Sequence, residues 1–249
     1  CSVSGQYYVG GLAGKIETIG LVDCSNEGSV ITATGYVLDG EVRYVYVGGY
    51  AGYGYSFDGC HNAADIIYES NGGRVGGIAG YANGALTNCT NTGTINAPAS
   101  DEVGGIAGRT GYGGDATLSS LENSGAVTGA NNVGGVIGYI YGNVSGGYVD
   151  IYRTLTLSSF ENSGAVSGAN YVGGIAGQLY LDATSRYTAE FKLVANSFNN
   201  SGDISGESYV GGLFGYARTD DSESRMSDSS SSCSVSGQYY VGGLAGKIE

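Results

Sequence analysis

Apolar and polar side chains alternate along most of this chain. In residues 121–129, 160–168 and 198–206, an apolar residue, an Asn, a Gly, an aliphatic residue and a second Gly follow one another at every second position. A period of two is typical of β-strands, because successive side chains of a strand face opposite sides. Almost no segment has the 3.6-residue apolar spacing of an amphipathic helix. The pattern therefore predicts an all-β protein made of short strands.

The same pattern recurs along the chain at two levels. The hexapeptide Val-Gly-Gly-x-x-Gly occurs eight times, beginning at Val9, Val47, Val75, Val103, Val133, Val172, Val210 and Val241, in steps of 28 to 39 residues. Residues 1–17 also recur without a change at 233–249, which is 232 residues later. The sequence thus predicts one long repeat over residues 1–232 and the start of the next over residues 233–249.

Units of this length, with several short strands and glycine at the corners, favour a β-solenoid of about seven coils. The usual crossover preference predicts a right-handed β-helix. Equivalent residues of neighbouring coils then lie about 4.8 Å apart in columns. One column consists of asparagines, whose amides we expect to form a structural ladder of hydrogen bonds along the axis: Asn26, Asn62, Asn91, Asn123, Asn162 and Asn200.

Differences in unit length indicate excursions from the coil. Residues 36–47 carry Asp39-Gly40 between alternating segments, a strong signal for a β-hairpin. Residues 139–152 and 179–194 are predicted as longer β-hairpin protrusions. Residues 219–232 are rich in Ser and Asp, and we expect them to form a solvated loop.

Three cysteines, Cys24, Cys60 and Cys89, share one column of the repeat with Leu121 and Phe160. A spacing of about 4.8 Å between neighbouring coils falls within the Cα separation that a disulfide allows. A disulfide between Cys24 and Cys60 is therefore one interpretation. The favoured alternative is that these cysteines are small buried apolar side chains with free thiols.

Charge and composition exclude several classes of function. The net charge is −13, and the 10 Lys and Arg residues are scattered, so neither nucleic acid nor an anionic bilayer is an expected partner. No apolar run approaches the ~20 residues of a membrane span, so no membrane insertion is expected. With His61 as the single histidine, the sequence predicts no metal site, no cofactor and no catalytic residues. The equivalent pair Glu122 and Glu161 keeps a polysaccharide-degrading β-helix enzyme as the least favoured alternative.

The glycine-rich cores, such as Gly77-Ile78-Ala79-Gly80 and Gly105-Ile106-Ala107-Gly108, resemble the GLUG-motif repeats of bacterial surface proteins. Gly49-Tyr50-Ala51-Gly52 departs from the pattern, with Tyr at the aliphatic position. The resemblance implies a secreted or wall-attached bacterial protein whose repeats act as a spacer, a stalk or an adhesive surface. It implies no enzymatic activity.

We therefore expect a structural repeat segment of an extracellular filament or giant surface adhesin, located outside the cell or at its surface. The expected partners are further copies of itself, end to end, either in one covalent array or as separate chains. An alternative is an adhesive module that binds host or cell-surface glycans, since tyrosine is common at recognition surfaces. The candidate contacts for a glycan are Tyr46, Tyr50, Tyr53 and Tyr55.

Overall fold

The structure is a computed structural model that describes residues 2–28, 30–38, 41–112, 115–146, 151–185, 189–221 and 223–249. All regular elements of these residues are β-strands. The chain passes through four parallel sheets, here named A, B, C and D, and then returns to sheet A one coil further on. The prediction of an all-β solenoid is thereby confirmed.

Sheets A, B and C each contain eight strands, one for every copy of the hexapeptide. Sheet A is formed by Val3–Gly5, Ile31–Ala33, Ile66–Tyr68, Ile95–Asn96, Val127–Thr128, Val166–Ser167, Ile204–Ser205 and Val235–Ser236. Sheet B is formed by Tyr8–Gly10, Val45–Gly48, Gly73–Gly76, Glu102–Gly104, Asn131–Gly134, Asn170–Gly173, Ser208–Gly211 and Tyr239–Gly242. Sheet C is formed by Ala13–Lys15, Ala51–Gly54, Ala79–Ala82, Ala107–Tyr112, Ile137–Gly146, Ala176–Ser185, Phe214–Arg218 and Ala245–Ile248.

Sheet D has ten strands, because some coils cross it in two short pieces. Its strands are Gly20–Val22, Ser25–Asn26, Ser56–Asp58, His61–Asn62, Leu86–Asn91, Ala116–Asn123, Ile151–Asn162, Ala189–Asn200, Arg225–Ser227 and Ser230–Ser231. One antiparallel hairpin, Tyr36–Leu38 with Glu41–Arg43, leaves the coil at the predicted place. Its Asp39-Gly40 turn lies outside the described residues.

A column of left-handed residues bends the strands of sheet D. Six non-glycine residues of this column have φ between 48° and 59°, and Gly59 has φ 63°. Asn, Asp and Gly tolerate this conformation better than other residues, which explains why the column holds only Gly and short polar side chains. The six are Asp23, Asn88, Ser120, Ser159, Ser197 and Asp228.

The interior of the coil contains two apolar cores. Sheets A and B enclose a core of Val, Ile and Ala side chains with one tyrosine, Tyr68. Sheets C and D enclose the larger core, which holds Phe57, Phe160 and Phe198. Between the two cores, the corner of the coil that carries Gly105 contacts the opposite corner, which carries Asn123. A Cβ on Gly105 would lie 2.3 Å from the amide carbon of Asn123 and 2.2 Å from the carbonyl oxygen of Gly135 in the next coil. Only glycine fits this constriction, and this accounts for the second Gly of the hexapeptide.

The hairpins predicted at 139–152 and 179–194 are wrong. Ile137–Gly146 pairs in parallel with Ala176–Ser185 in sheet C, and Ile151–Asn162 pairs in parallel with Ala189–Asn200 in sheet D. These four strands, here named the arms, extend sheets C and D outward. The two sheets face each other there, since a Cβ on Gly142 would lie 2.2 Å from the Phe191 ring. The two neighbouring repeat units that contain these strands both carry long insertions. Each long strand of the first unit therefore pairs with the equivalent long strand of the next coil.

The loop predicted at residues 219–232 is also partly wrong. Arg225–Ser227 pairs with Val194 to Asn196, and Ser230–Ser231 pairs with Asn199 and Asn200. Side chains 225–228 are exposed, as expected of a polar segment. The edge of strand Ala189–Asn200 presents backbone donors and acceptors that need partners. A polar segment can pair with them as well as an apolar segment can, because the backbone makes these hydrogen bonds.

We predict that Phe191→Ala destabilises the arms by about 3–5 kcal/mol, because it leaves a cavity between two packed sheets. Phe191 is 1% exposed, whereas Tyr152 of the neighbouring arm strand is 59% exposed. The matched change Tyr152→Ala should alter stability by no more than about 0.5 kcal/mol. Hydrogen exchange of the arm amides, followed for both variants, measures the difference. Equal protection in the two variants would contradict face-to-face packing of the arms.

Candidate functional site: axial ladders and the tyrosine face

The asparagine column forms a continuous ladder of hydrogen bonds along the axis. The side-chain Nδ2 of each Asn donates to the Oδ1 of the Asn in the next coil: 3.3 Å from Asn26 to Asn62, 2.8 Å from Asn62 to Asn91, 2.8 Å from Asn91 to Asn123, 2.9 Å from Asn123 to Asn162 and 2.7 Å from Asn162 to Asn200. Asn62 to Asn200 are buried. The ladder thus connects six coils through side chains alone.

The ladder also satisfies the remaining donor of the buried amides. Nδ2 of Asn91 donates to Gly93 O at 2.7 Å, and Nδ2 of Asn123 donates to Gly125 O at 2.8 Å. Each amide therefore holds the corner of its own coil as well as the next coil. Because both donors and the acceptor of a buried primary amide are paired, its hydrogen bonds compensate for the lost hydration, which is why polar groups are tolerated here.

The outward side chains of sheets B and C form a second pair of columns, here named the tyrosine face. The sheet B column contains Tyr8, Tyr46, Arg74, Glu102, Asn132, Tyr171, Tyr209 and Tyr240. The sheet C column contains Lys15, Tyr53, Tyr81, Arg109, Tyr139, Gln178, Tyr216 and Lys247. Four of the ten Lys and Arg residues of the chain lie in these columns, namely Lys15, Arg74, Arg109 and Lys247. A fifth, Arg218, lies beside them in sheet C and donates to the hydroxyl of Tyr180.

Rings of this face stack on one another along the axis. The Tyr8 and Tyr46 centroids lie 5.0 Å apart with planes 24° from parallel, and those of Tyr53 and Tyr81 lie 5.3 Å apart at 14°. The same arrangement recurs at the other end, where Tyr209 stacks on Tyr240 at 4.6 Å. Each of these rings thus contacts a neighbouring ring along the axis, and burial raises the pKa of Tyr46 and Tyr81. The phenols of Tyr46 and Tyr81 therefore remain neutral hydrogen-bonding groups at physiological pH.

An ion triad around the buried Glu102 lies in the middle of the tyrosine face, with Arg74 and Arg109 partly exposed. Arg74 Nε lies 2.6 Å from Glu102 Oε2, and Arg109 Nη1 lies 2.9 Å from Glu102 Oε1. The Arg74 guanidinium lies over the rings of Tyr46 and Tyr81 at 5.2 Å from each centroid. Three coils are therefore joined by charges whose hydrogen bonds also fix their geometry. Sequence analysis missed this triad, although Arg74 and Arg109 occupy columns that hold Tyr in other coils.

The predicted glycan contacts occupy three different environments. Tyr50 is fully buried, with its hydroxyl 2.7 Å from Cys24 O and 2.5 Å from His61 O, so its prediction as a surface residue is wrong. It occupies the core column that holds Ile78 and Ile106 elsewhere. Tyr46 and Tyr53 belong to the tyrosine face, and their ring faces contact other tyrosines. Tyr55 is 49% exposed and is the candidate with the most accessible side chain.

The disulfide between Cys24 and Cys60, the less favoured interpretation of the sequence, is not present in the described part of the chain. Cys24, Cys60, Cys89 and Cys233 are free thiols. Cys60 and Cys89 are buried in the core between sheets C and D, as the alternative interpretation expects. A hydrogen bond with Cys60, together with burial, raises the pKa of Cys89.

Other candidate chemistry is sparse in the described residues. Glu122 and Glu161 lie in register on neighbouring coils, but the column continues as Thr90 on one side and Asn199 on the other. Within the described ranges, no three His, Cys, Asp or Glu side chains are arranged to hold a metal ion. The same ranges contain no helix with the length and hydropathy needed to cross a membrane.

The parallel coils and the in-register ladders define a repeat protein of the β-solenoid class. Residues 71–96 match the profile of the GLUG motif, which confirms the resemblance noted in the glycine-rich cores. This stretch is a complete turn of the solenoid from sheet B to sheet A, and it includes Cys89 and Asn91. No curated protein and no solved structure matches the chain.

We predict that Asn123→Ala lowers the free energy of unfolding by about 2–3 kcal/mol, because one Nδ2 donor of Asn91 and the Oδ1 acceptor of Asn162 lose their partner inside the protein. Asn96 is an exposed residue of sheet A, so Asn96→Ala is the matched control and should change stability by less than about 0.5 kcal/mol. Urea denaturation followed by circular dichroism measures both variants. A loss no larger than that of the control would show that the ladder contributes nothing to stability.

We also predict a difference in the reactivity of the thiols. Cys24 is partly exposed and should react with a maleimide in the native protein, whereas Cys60 and Cys89 should react only in concentrated guanidinium chloride. Peptide mass spectrometry after each reaction assigns the modified residue. Without reductant, the disulfide would instead appear as a linked pair of peptides that contain Cys24 and Cys60. The mass of this pair would be two hydrogens below the sum of the two free peptides.

Proposed function

We propose that this chain is a rigid structural segment of an extracellular filament or large surface adhesin. The observation that carries the proposal is the unbroken in-register stacking of sheets A, B and C from the first described strands to the last. Such a stack gains length without gaining new kinds of contact, since each coil touches only its neighbours. The GLUG motif at residues 71–96 supports a surface location.

Resistance to bending and stretching follows from how the coils are joined. Backbone hydrogen bonds, the asparagine ladder and the stacked tyrosines all run parallel to the axis. A force along the axis therefore acts on many bonds at once, whichever two coils it separates. This arrangement favours a load-bearing spacer over a catalytic domain.

The tyrosine face supports the mechanical role over glycan binding. Sugar rings stack on free aromatic faces, but Tyr8 stacks on Tyr46 and Tyr53 stacks on Tyr81. Lys15 or Arg74 also lies over each of these four rings. The face therefore presents ring edges and hydroxyls, and its aromatic area strengthens the contacts between coils. Glycan binding would depend on single exposed residues such as Tyr55.

The test is the length of tandem arrays. Proteins with one, two and three copies of the 232-residue period should form straight rods that lengthen by about 34 Å per period, which is seven strand spacings. Electron microscopy and small-angle scattering measure this increment. A flexible Gly-Ser insert between residues 232 and 233 is the control and should introduce a bend. Arrays that behave as beads on a flexible string without the insert would refute the proposal.

A further inference from the structure

Three tyrosines of the tyrosine face stack closely on consecutive coils. Tyr171, Tyr209 and Tyr240 occupy the same position of sheet B in neighbouring coils. The ring centroids of Tyr171 and Tyr209 lie 4.8 Å apart with planes 14° from parallel, and those of Tyr209 and Tyr240 lie 4.6 Å apart at 6°. The backbone register of the coils therefore holds these three rings, here named the phenol stack, face to face.

The backbone of the phenol stack is strained. Tyr171, Tyr209 and Tyr240 have φ of 55°, 56° and 53°, in the left-handed region that bulky side chains rarely adopt. The equivalent residue one coil earlier is Asn132, with φ 46°, and asparagine tolerates this conformation well. Asparagine at every one of these positions would relieve the strain. Its persistence in three coils points to a role for the phenol ring itself.

The phenol stack is also easier to oxidise than the stacked pair Tyr53 and Tyr81. Lys15 lies over the Tyr53 ring at 5.5 Å and Arg74 over the Tyr81 ring at 5.2 Å, whereas within the described ranges no Lys or Arg lies over a ring of the phenol stack. A cation over a ring is attracted to its electrons and so opposes their removal. Burial raises the pKa of Tyr81, which opposes loss of the hydroxyl proton as well.

We propose that the phenol stack is a site of oxidative cross-linking, in which a carbon–carbon bond forms between Tyr209 and either Tyr171 or Tyr240, at ring positions next to the hydroxyls. The oxidant is hydrogen peroxide, used by a haem peroxidase. Each phenol gives up one electron and its hydroxyl proton, and the peroxide takes up two electrons and two protons to form two waters. The two phenoxyl radicals then couple, and the ring hydrogens at the new bond move as protons to the oxygens. Both hydroxyls are thereby restored, and the pair has lost two hydrogens.

The geometry favours coupling between coils of one molecule. Stacked rings place equivalent carbons about as far apart as their centroids, and the partly exposed side chains of Tyr171 and Tyr209 can rotate to close the remaining distance. The neighbouring ring is present at a high effective concentration. Tyr55 and Tyr152 are 49% and 59% exposed, but neither stacks on another ring within the described ranges. Position on the next coil, and not exposure, therefore selects the pair.

The product is a covalent staple between consecutive coils. It lies parallel to the axis, in the same direction as the asparagine ladder, and it joins segments that are far apart in the sequence. This inference goes beyond the structural role proposed above, since it depends only on where the rings lie.

The experiment treats the full chain, at micromolar concentration, with hydrogen peroxide and a haem peroxidase. Dityrosine fluorescence should appear in a monomer whose mass is two hydrogens lower, and this product should exceed covalent dimers by at least about tenfold. Peptide mass spectrometry should find Tyr209 linked to Tyr171 or Tyr240. The same treatment in concentrated guanidinium chloride should abolish the preference for Tyr209, because the unfolded chain has no stack.

Tyr209→Phe is the decisive variant, because it keeps the ring and lacks the hydroxyl from which the phenoxyl radical forms. It should retain the circular dichroism spectrum of the native protein and lose the cross-links of the phenol stack. Tyr55→Phe and Tyr216→Phe are the matched controls and should leave these cross-links in place. Tyr216 is a stringent control, since its ring lies edge-on to those of Tyr171 and Tyr209 at 6.0 and 6.2 Å.

A native protein whose dityrosine does not include Tyr209 would overturn the proposal, and peptide mapping of the unmodified chain decides this even if a variant fails to fold. A dityrosine yield that Tyr209→Phe leaves unchanged, or dityrosine found mainly in dimers joined through Tyr55 or Tyr152, would also overturn it. The tandem arrays separate the two proposals. Rigid arrays without a Tyr209 cross-link would refute only the cross-linking, whereas flexible arrays with this cross-link would refute only the structural role.

Discussion

Hydrogen bonding parallel to the axis is the constraint on which the rest of this solenoid depends. A buried asparagine such as Asn123 has its two axial partners only because the coils on both sides place an asparagine at the same height. A slip of one residue between coils would turn the asparagines to the outside and the neighbouring polar residues inward, since successive side chains alternate. The ladder therefore fixes the register of the six coils that it joins through side chains, in addition to the backbone pairing.

The constriction between the two cores follows from the same requirement. The asparagine corner and the second glycine of the hexapeptide touch across the coil, so the interior divides into a small core between sheets A and B and a larger core between sheets C and D. Insertions lengthen the strands that line the larger core without disturbing the ladder. The arms grow in this direction only, because a longer strand there still finds a partner in the next coil.

The tyrosine face shows how an outer column differs from an inner one. An outward side chain needs only to match its neighbours along the axis, so Tyr, Arg and Glu interchange in the outward column of sheet B, whereas the inward column next to it holds Val in every copy of the hexapeptide. The Arg74–Glu102–Arg109 triad and the stacked tyrosines are two ways of joining coils at the same positions. Both strengthen contacts between neighbours, and neither depends on the ends of the stack.

The sequence by itself determined the class of fold, the length of each coil and the alignment of its columns, because stacked repeats impose their register directly on the spacing of residues. The asparagine ladder was predictable from Asn62, Asn91 and Asn123 for this reason. Tyr50 could also have been placed inside from its column, but its aromatic side chain suggested a surface. The arms and the polar strands at 225–231 were not predictable, since local alternation does not reveal whether the partner of a strand is the next segment of the chain or the next coil. Only the tertiary structure decided this, because the partner is chosen by which edge offers unpaired hydrogen-bonding groups at the right height.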